Sequence, residues 1–268
     1  IFGVAANVSI SKLFMAGIVP GIMLAASLWA TWWWVARKEQ VAVPPRKTGT
    51  EVWSAFKDAT FALVMPVIVV VGLKFGVFTP TEAAVVAAVY AILVSTLVYR
   101  ELKLSDLYGL FLAASKTTAV IMFLVAAAMV SAWLITVAQL PAEVVKLLQP
   151  LLDSPRLLMM AIMLLVIVVG TAMDMTPTVL ILTPVLMPIV KAAGIDPVYF
   201  GVLFVINNAI GLITPPVGTV LNTVAGVGKV SMDEVTRGVM PFMLAQFGVM
   251  FLMVLFPQLV MVPARWFY

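Results

Sequence analysis

A single aspartate, Asp174, stands inside an otherwise uncharged stretch, GTAMDMTPTVLILTPVLMP, from Gly170 to Pro188. Thr171, Thr176, Thr178 and Thr183 surround it, and Pro177, Pro184 and Pro188 each remove a helical N–H and free a carbonyl nearby. A carboxylate among hydroxyls and unpaired carbonyls can replace the hydration shell of an alkali cation. Further along, NNAIGLITPPVG (Asn207 to Gly218) interrupts a second apolar run with two asparagines, two glycines and a double proline. Carbonyls ending a helix at Gly211 face a cation, whereas the N–H groups opening a helix after Pro216 suit an anion. Asn207, Asn208 and Thr214 have side chains for either role, with Pro215 and Gly218 completing the interruption. Plainer readings stand beside these: Asp174 as the N-cap of a helix half beginning near Thr176, and the prolines as helix breakers alone.

The chain has no cysteine and no histidine, which excludes disulfides, thiol nucleophiles, thiolate metal sites and the usual proton carrier near neutral pH. No Gly-rich phosphate loop is present, so nothing points to direct use of ATP. An intramembrane aspartyl protease would need a second facing carboxylate, and only Asp174 is placed deeply. No enzyme is expected. A third polar interruption, LKFGVFTPTEAAVV (Leu73 to Val86), reads as a helix start, with Thr79 as N-cap, Pro80 at N1 and Glu82 at the capping-box position, or as a further transport element.

The elements that must position these groups are membrane helices. The 268 residues are 63% hydrophobic and 10% charged, with a mean hydropathy of +1.15, against about 25% charged for a soluble domain. Continuous rather than alternating apolar runs exclude an outer-membrane barrel and predict an all-α, polytopic helical bundle. Runs fall at about 13–36, 59–78, 80–99, 117–139, 156–190 (interrupted), 198–226 (interrupted) and 238–262. The loop from Ala36 to Lys57 and the turn RELKLSD at Arg100 are rich in Lys and Arg, so both belong to the cytoplasmic side.

Alternation then brings 156–190 back to the cytoplasm. A single crossing by 198–226 would put GKVSMDEVTR outside, against the charge rule. The expectation is therefore a re-entrant hairpin at 198–226 turning at Thr214-Pro215-Pro216, with arms too short to span. Trp32, Trp33 and Trp34, and Trp266, Phe267 and Tyr268, fit interfacial belts, and 49–58 and 103–115 read as amphipathic surface arms. The segments expected are 1–58 (end of a first repeat, one transmembrane helix and an arm), 59–155 (transmembrane helices and the second arm), 156–237 (broken helix and hairpin) and 238–268 (last helix).

NVSISKLFMAGIVP (Asn7 to Pro20) aligns with GKVSMDEVTRGVMP (Gly228 to Pro241) at an offset of 221, matching Gly17 to Gly238 and Pro20 to Pro241. The helices that follow run in opposite directions, as in inverted-repeat transporters. The same offset puts the counterparts of Pro215 and Pro216 about five residues before Ile1. Together with a start that lacks Met and a signal-peptide pattern, this reads as the C-terminal part of a longer polypeptide whose N-terminal repeat is missing.

At GVFTPTEAAVVAAVYA (Gly76 to Ala91), GTAMDMTPTVLILTPVLMPIVKAAGIDPVYFG (Gly170 to Gly201) and NNAIGLITPPVG, the sequence closely resembles the large membrane subunit of tripartite ATP-independent periplasmic (TRAP) transporters. The resemblance covers essentially the whole chain. It implies a bacterial or archaeal inner-membrane importer of organic acid anions such as C4-dicarboxylates or sialic acids, coupled to sodium ions and using no other cofactor. It further implies an elevator mechanism, a small four-helix membrane subunit and a periplasmic substrate-binding protein. On this chain the second hairpin would map to Tyr199–Gly226 and the broken helix to Gly170–Pro188. Asp174, Thr176, Asn208, Gly211, Thr214, Pro215, Pro216 and Gly218 would surround substrate and ion, with Asp174, Asn208, Gly211 and Thr214 as sodium ligands. A related anion or citrate-type carrier working without a binding protein would use the same elements.

Overall fold

A computed structural model describes residues 1–38, 45–139, 143, 146, 149–215 and 218–266, and over these it contains helices and no strand. Pro216, Phe267 and Tyr268 lie outside the described residues. The helices are α1 (Phe2–Ala5), α2 (Ile10–Lys38), α3 (Gly49–Lys74), α4 (Pro80–Leu93), α5 (Leu107–Val137), α6 (Gln149–Leu152), α7 (Pro155–Ala172), α8 (Met175–Ala192), α9 (Pro197–Gly211), α10 (Thr219–Gly228), α11 (Met232–Leu255) and α12 (Gln258–Ala264). The chain divides into two compact units, Glu39–Val120 and the combination of Ile1–Lys38 with Ile121–Tyr268.

In the smaller unit α3 and α4 form an antiparallel pair. Tyr90 donates its hydroxyl to the Phe61 carbonyl at 2.8 Å and Tyr99 to the Asp58 carbonyl at 2.6 Å, tying the end of α4 and its following π turn to the first half of α3. The Thr79–Glu82 capping box expected from the sequence forms, and Thr48–Glu51 makes another at the start of α3. Residues 49–58 are the first turns of one unbroken helix to Lys74. Residues 107–115 likewise continue into α5. Leu104–Asp106, at the start of the second expected arm, form a 3-10 turn of their own.

The larger unit holds the core, in which Phe200, Phe204, Leu158, Met163, Ile189, Met250 and Met253 are fully buried. Its topology follows from a few contacts. Tyr199, in the first turn of α9, donates its hydroxyl to the Met253 carbonyl at 2.9 Å, at the far end of α11. Gly228, the last residue of α10, joins the start of α11 through only Lys229, Val230 and Ser231. The 24 residues of α11 measure about 36 Å. The two ends of Pro197–Gly228 therefore lie at opposite ends of a membrane-length helix, so this segment crosses once as a discontinuous helix.

The preceding pair does not cross. Pro155 and Arg156, which open α7, and Gly194, Ile195 and Asp196, which follow α8, line one cavity of about 200 Å³ together with Tyr199 and Val254. Both feet of α7–α8 thus stand at the same end. Arg156 lies near Tyr199, Met163 is bonded by Asn207, and Gly170 abuts Gly211, so α7 runs parallel to α9 and α8 returns. The turn at Met173–Asp174 stops at the level of Gly211. That is about 22 Å along the 15-residue α9, well short of the far end of α11.

The structure therefore exchanges two sequence expectations. The re-entrant hairpin is Pro155–Ala192, and the broken helix is Pro197–Gly228. The physical reason is that a helix break fixes no direction: the chain reverses at Met173–Asp174 and continues onward beyond Leu212. Length and hydropathy alone score α7 and α8 as two of seven spans and omit the divided α9–α10. Because one of the two segments still re-enters and the other still crosses, the parity demanded by the loop charges is unchanged.

The helices that follow the two aligned segments, α2 and α11, lie side by side. At the Tyr199 end, Leu13 near the start of α2 lies close to Gly201, and α2 packs along α11 in the opposite sense. Each of these helices carries its proline internally, Pro20 and Pro241. The sequence contains no cysteine, which makes the topology directly testable in a full-length chain free of other thiols. Ser154→Cys and Ala193→Cys are expected to react with an impermeant maleimide from one face of the membrane, and Lys229→Cys only from the other. Labelling of positions 154 and 193 from opposite faces would overturn the hairpin.

Candidate ion and substrate site

The candidate site is a junction of helix ends. The last turns of α7 and α9 meet at two glycines, where a Cβ on Gly211 would lie 3.0 Å from the Gly170 Cα and 3.2 Å from its carbonyl oxygen. Only a residue without a side chain lets two backbones approach this closely. Since α7 and α9 are parallel, both present C-terminal ends here, with the negative ends of their dipoles, and the Gly211 carbonyl accepts the Thr214 N–H at 3.0 Å. Beside them α8 opens at Asp174, whose Oδ1 accepts the Met175 N–H at 2.8 Å. Across the break α10 opens after Gly218, which adopts φ +42°. The break is pinned where the Val220 N–H donates to the Leu212 carbonyl at 3.2 Å.

Two buried asparagines occupy the last turn of α9. Asn207, 0% exposed, donates its Nδ2 to the Met163 carbonyl at 2.7 Å and so fastens α9 to the first hairpin arm. Asn208, 1% exposed, donates to the Phe204 carbonyl of its own helix at 2.8 Å. The Oδ1 atoms of both are buried without a hydrogen-bond partner. An unmet buried acceptor costs about 1–3 kcal/mol, so two neighbouring ones call for a partner that the chain itself does not supply, a hydrogen-bond donor or a cation. Among the described residues no three acidic side chains gather. A cation here would be held by amide and carbonyl oxygens, a donor set suited to a hard alkali ion.

The expected site residues divide accordingly. Gly211 and Asn208 lie at the junction. Thr214 is buried in the turn that follows, its hydroxyl donated to the Ile210 carbonyl at 2.8 Å, and Pro215 extends that turn. Gly218 is buried, with the Thr214 carbonyl 3.2 Å from where a Cβ would stand. Asp174 is exposed in this chain and makes the N-cap contact of the plainer reading. Thr176 faces elsewhere, onto an apolar cavity of about 480 Å³ with Met175, Val179, Gly201 and Val205. Gly170 was not singled out from the sequence as a site residue. Its signal was a glycine in the last turn of an apolar helix, four residues before the membrane aspartate.

Comparison with known proteins covers nearly the whole chain. The family model described as "Tripartite ATP-independent periplasmic transporter, DctM component" matches residues 1–259. The 2,3-diketo-L-gulonate TRAP transporter large permease protein YiaN of Escherichia coli is 54% identical over 99% of this chain and 63% of its own length. The sialic acid TRAP transporter large permease protein SiaM of Vibrio cholerae is 36% identical over 96% of the chain and 60% of its own. For the C4-dicarboxylate TRAP transporter large permease protein DctM of Pseudomonas aeruginosa the figures are 35%, 91% and 57%. The chain thus spans a little under two thirds of the length of these relatives. A multi-pass helical membrane chain with this junction and this match along nearly its whole length belongs to the DctM family, the large permease component of tripartite ATP-independent periplasmic transporters.

Proposed function

We propose that the full-length protein is an inner-membrane secondary transporter importing an organic acid anion together with sodium ions. The substrate is delivered by a soluble periplasmic binding protein, and the permease works with a small membrane subunit. The observation carrying this reading is the junction at Gly170–Gly211. Helix C-termini and two unpartnered asparagine oxygens offer a cation site next to helix N-termini that favour an anion. Cation and carboxylate bound side by side neutralise each other's charge at membrane depth, where either alone is costly. Binding of one therefore strengthens binding of the other, which is the requirement for symport.

In this reading the first hairpin arm and α9, held together by Asn207 and by the glycine contact, move as one body in an elevator-type displacement. The substrates named for the relatives, diketogulonate, sialic acid and C4-dicarboxylates, are all carboxylates. That supports an acid as substrate here. The test is radiolabelled uptake by the full-length permease and small subunit in proteoliposomes, across a panel of organic acids. Uptake is expected only with both an inward sodium gradient and the binding protein. Uptake unchanged without sodium would remove the symport reading; uptake unchanged without the binding protein would leave an anion carrier of the self-sufficient type.

A further inference from the structure

We propose that the end of α2 is a binding site for anionic phospholipid headgroups. Trp29, Trp32, Trp33 and Trp34, four of the seven tryptophans in the chain, are all exposed on the last turns of this helix. Successive residues of a helix point about 100° apart, so Trp32, Trp33 and Trp34 sweep much of its circumference. Tryptophan settles at the level of the lipid headgroups. The two cations that follow do not extend past this ring. The Arg37 guanidinium lies 3.7 Å from the centre of the Trp33 ring, and the Lys38 ammonium 3.8 Å from that of Trp34.

Each contact is an i, i+4 pair in which the later side chain folds back along the helix toward its N-terminus. Both charges are thereby parked at indole depth, the depth of the phosphates. A guanidinium that meets an indole through its face keeps its N–H edge for phosphate, which that edge binds in bidentate fashion. Among the described residues neither cation has a carboxylate within ion-pair distance. Two positive charges held on a tryptophan ring at the end of a membrane-length helix are complementary to a phosphate diester carrying net negative charge. A zwitterionic lipid offers them no such excess.

The test uses the full-length permease purified in detergent with mixed phosphatidylglycerol and phosphatidylcholine, and native mass spectrometry counts retained lipid. Wild type is expected to retain phosphatidylglycerol preferentially, and Arg37→Gln/Lys38→Gln to lose roughly fivefold in preference for each cation removed. Arg37→Lys should retain most of it, separating charge from packing. An unchanged melting temperature in lipid-free detergent would show that the double variant is folded. Equal retention by wild type and the double variant, or no preference for phosphatidylglycerol in wild type, would overturn the site. Displacement by millimolar glycerol phosphate would identify a free-phosphate site and overturn the membrane assignment.

Discussion

Gly211→Val in the full-length permease is expected to reduce uptake to background while the protein still inserts and assembles with its small subunit. Even the Cβ of alanine at this position would stand 3.0 Å from the Gly170 Cα and 3.1 Å from its carbonyl carbon. Those are backbone atoms that cannot rotate away. The two γ carbons of valine require the ends of α7 and α9 to separate, at an overpacking cost of about 1–3 kcal/mol. Separation spreads the two helix C-termini and carries the Asn207 and Asn208 oxygens away from the hairpin turn, so a single ion can no longer reach both sides. Gly211→Ala should fall between, because a few tenths of an ångström of backbone movement admits one methyl. Uptake, with detergent-stable complex quantified in parallel, measures the series. A fully active valine variant would show that the junction is not the transport site.

How much of this site could be read beforehand depends on which property is asked of the sequence. The polar residues at membrane depth were legible, because Asp174, Asn207, Asn208 and Thr214 are costly there and few in number. The balance of crossings was legible from Arg37, Lys38, Arg46, Lys47, Lys229 and Arg237. That balance requires one of the two interrupted segments to re-enter and is silent on which. The double proline drew the hairpin to 198–226, since a break rich in Pro and Gly resembles a turn.

Length carried the missing signal. A single straight helix over 156–190 would measure about 52 Å, far beyond the roughly 30 Å hydrocarbon core, whereas folding it at Asp174 halves it. By contrast α9 and α10, 15 and 10 residues with a short break between them, sum to one crossing. The Gly170–Gly211 and Asn207–Met163 contacts lay beyond sequence reasoning for a different cause. They depend on α7 and α9 being parallel, which follows only once the hairpin is correctly placed.

The same placement sharpens what Asp174 is for. Asp174→Asn in the assembled transporter is expected to abolish sodium-dependent uptake with little change in stability. The side chain caps α8, its Oδ1 accepting the Met175 N–H at 2.8 Å, and asparagine caps a helix about as well as aspartate. If capping were the whole role, the amide would serve equally and would spare the protein the expense of a carboxylate at membrane depth, about 2.5–3.5 kcal/mol on insertion scales. In the proposed reading the charge acts on something that a cap does not need, a cation at the neighbouring helix C-termini. Asp174→Ala separates the two effects by removing both, with the same loss of uptake and a further destabilisation of about 0.5–2 kcal/mol. Thermal melting distinguishes the alanine from the asparagine variant, and uptake at graded sodium concentrations distinguishes asparagine from wild type. Wild-type sodium dependence in Asp174→Asn would return the residue to a structural cap and leave the ion to the carbonyls and amides of α7 and α9.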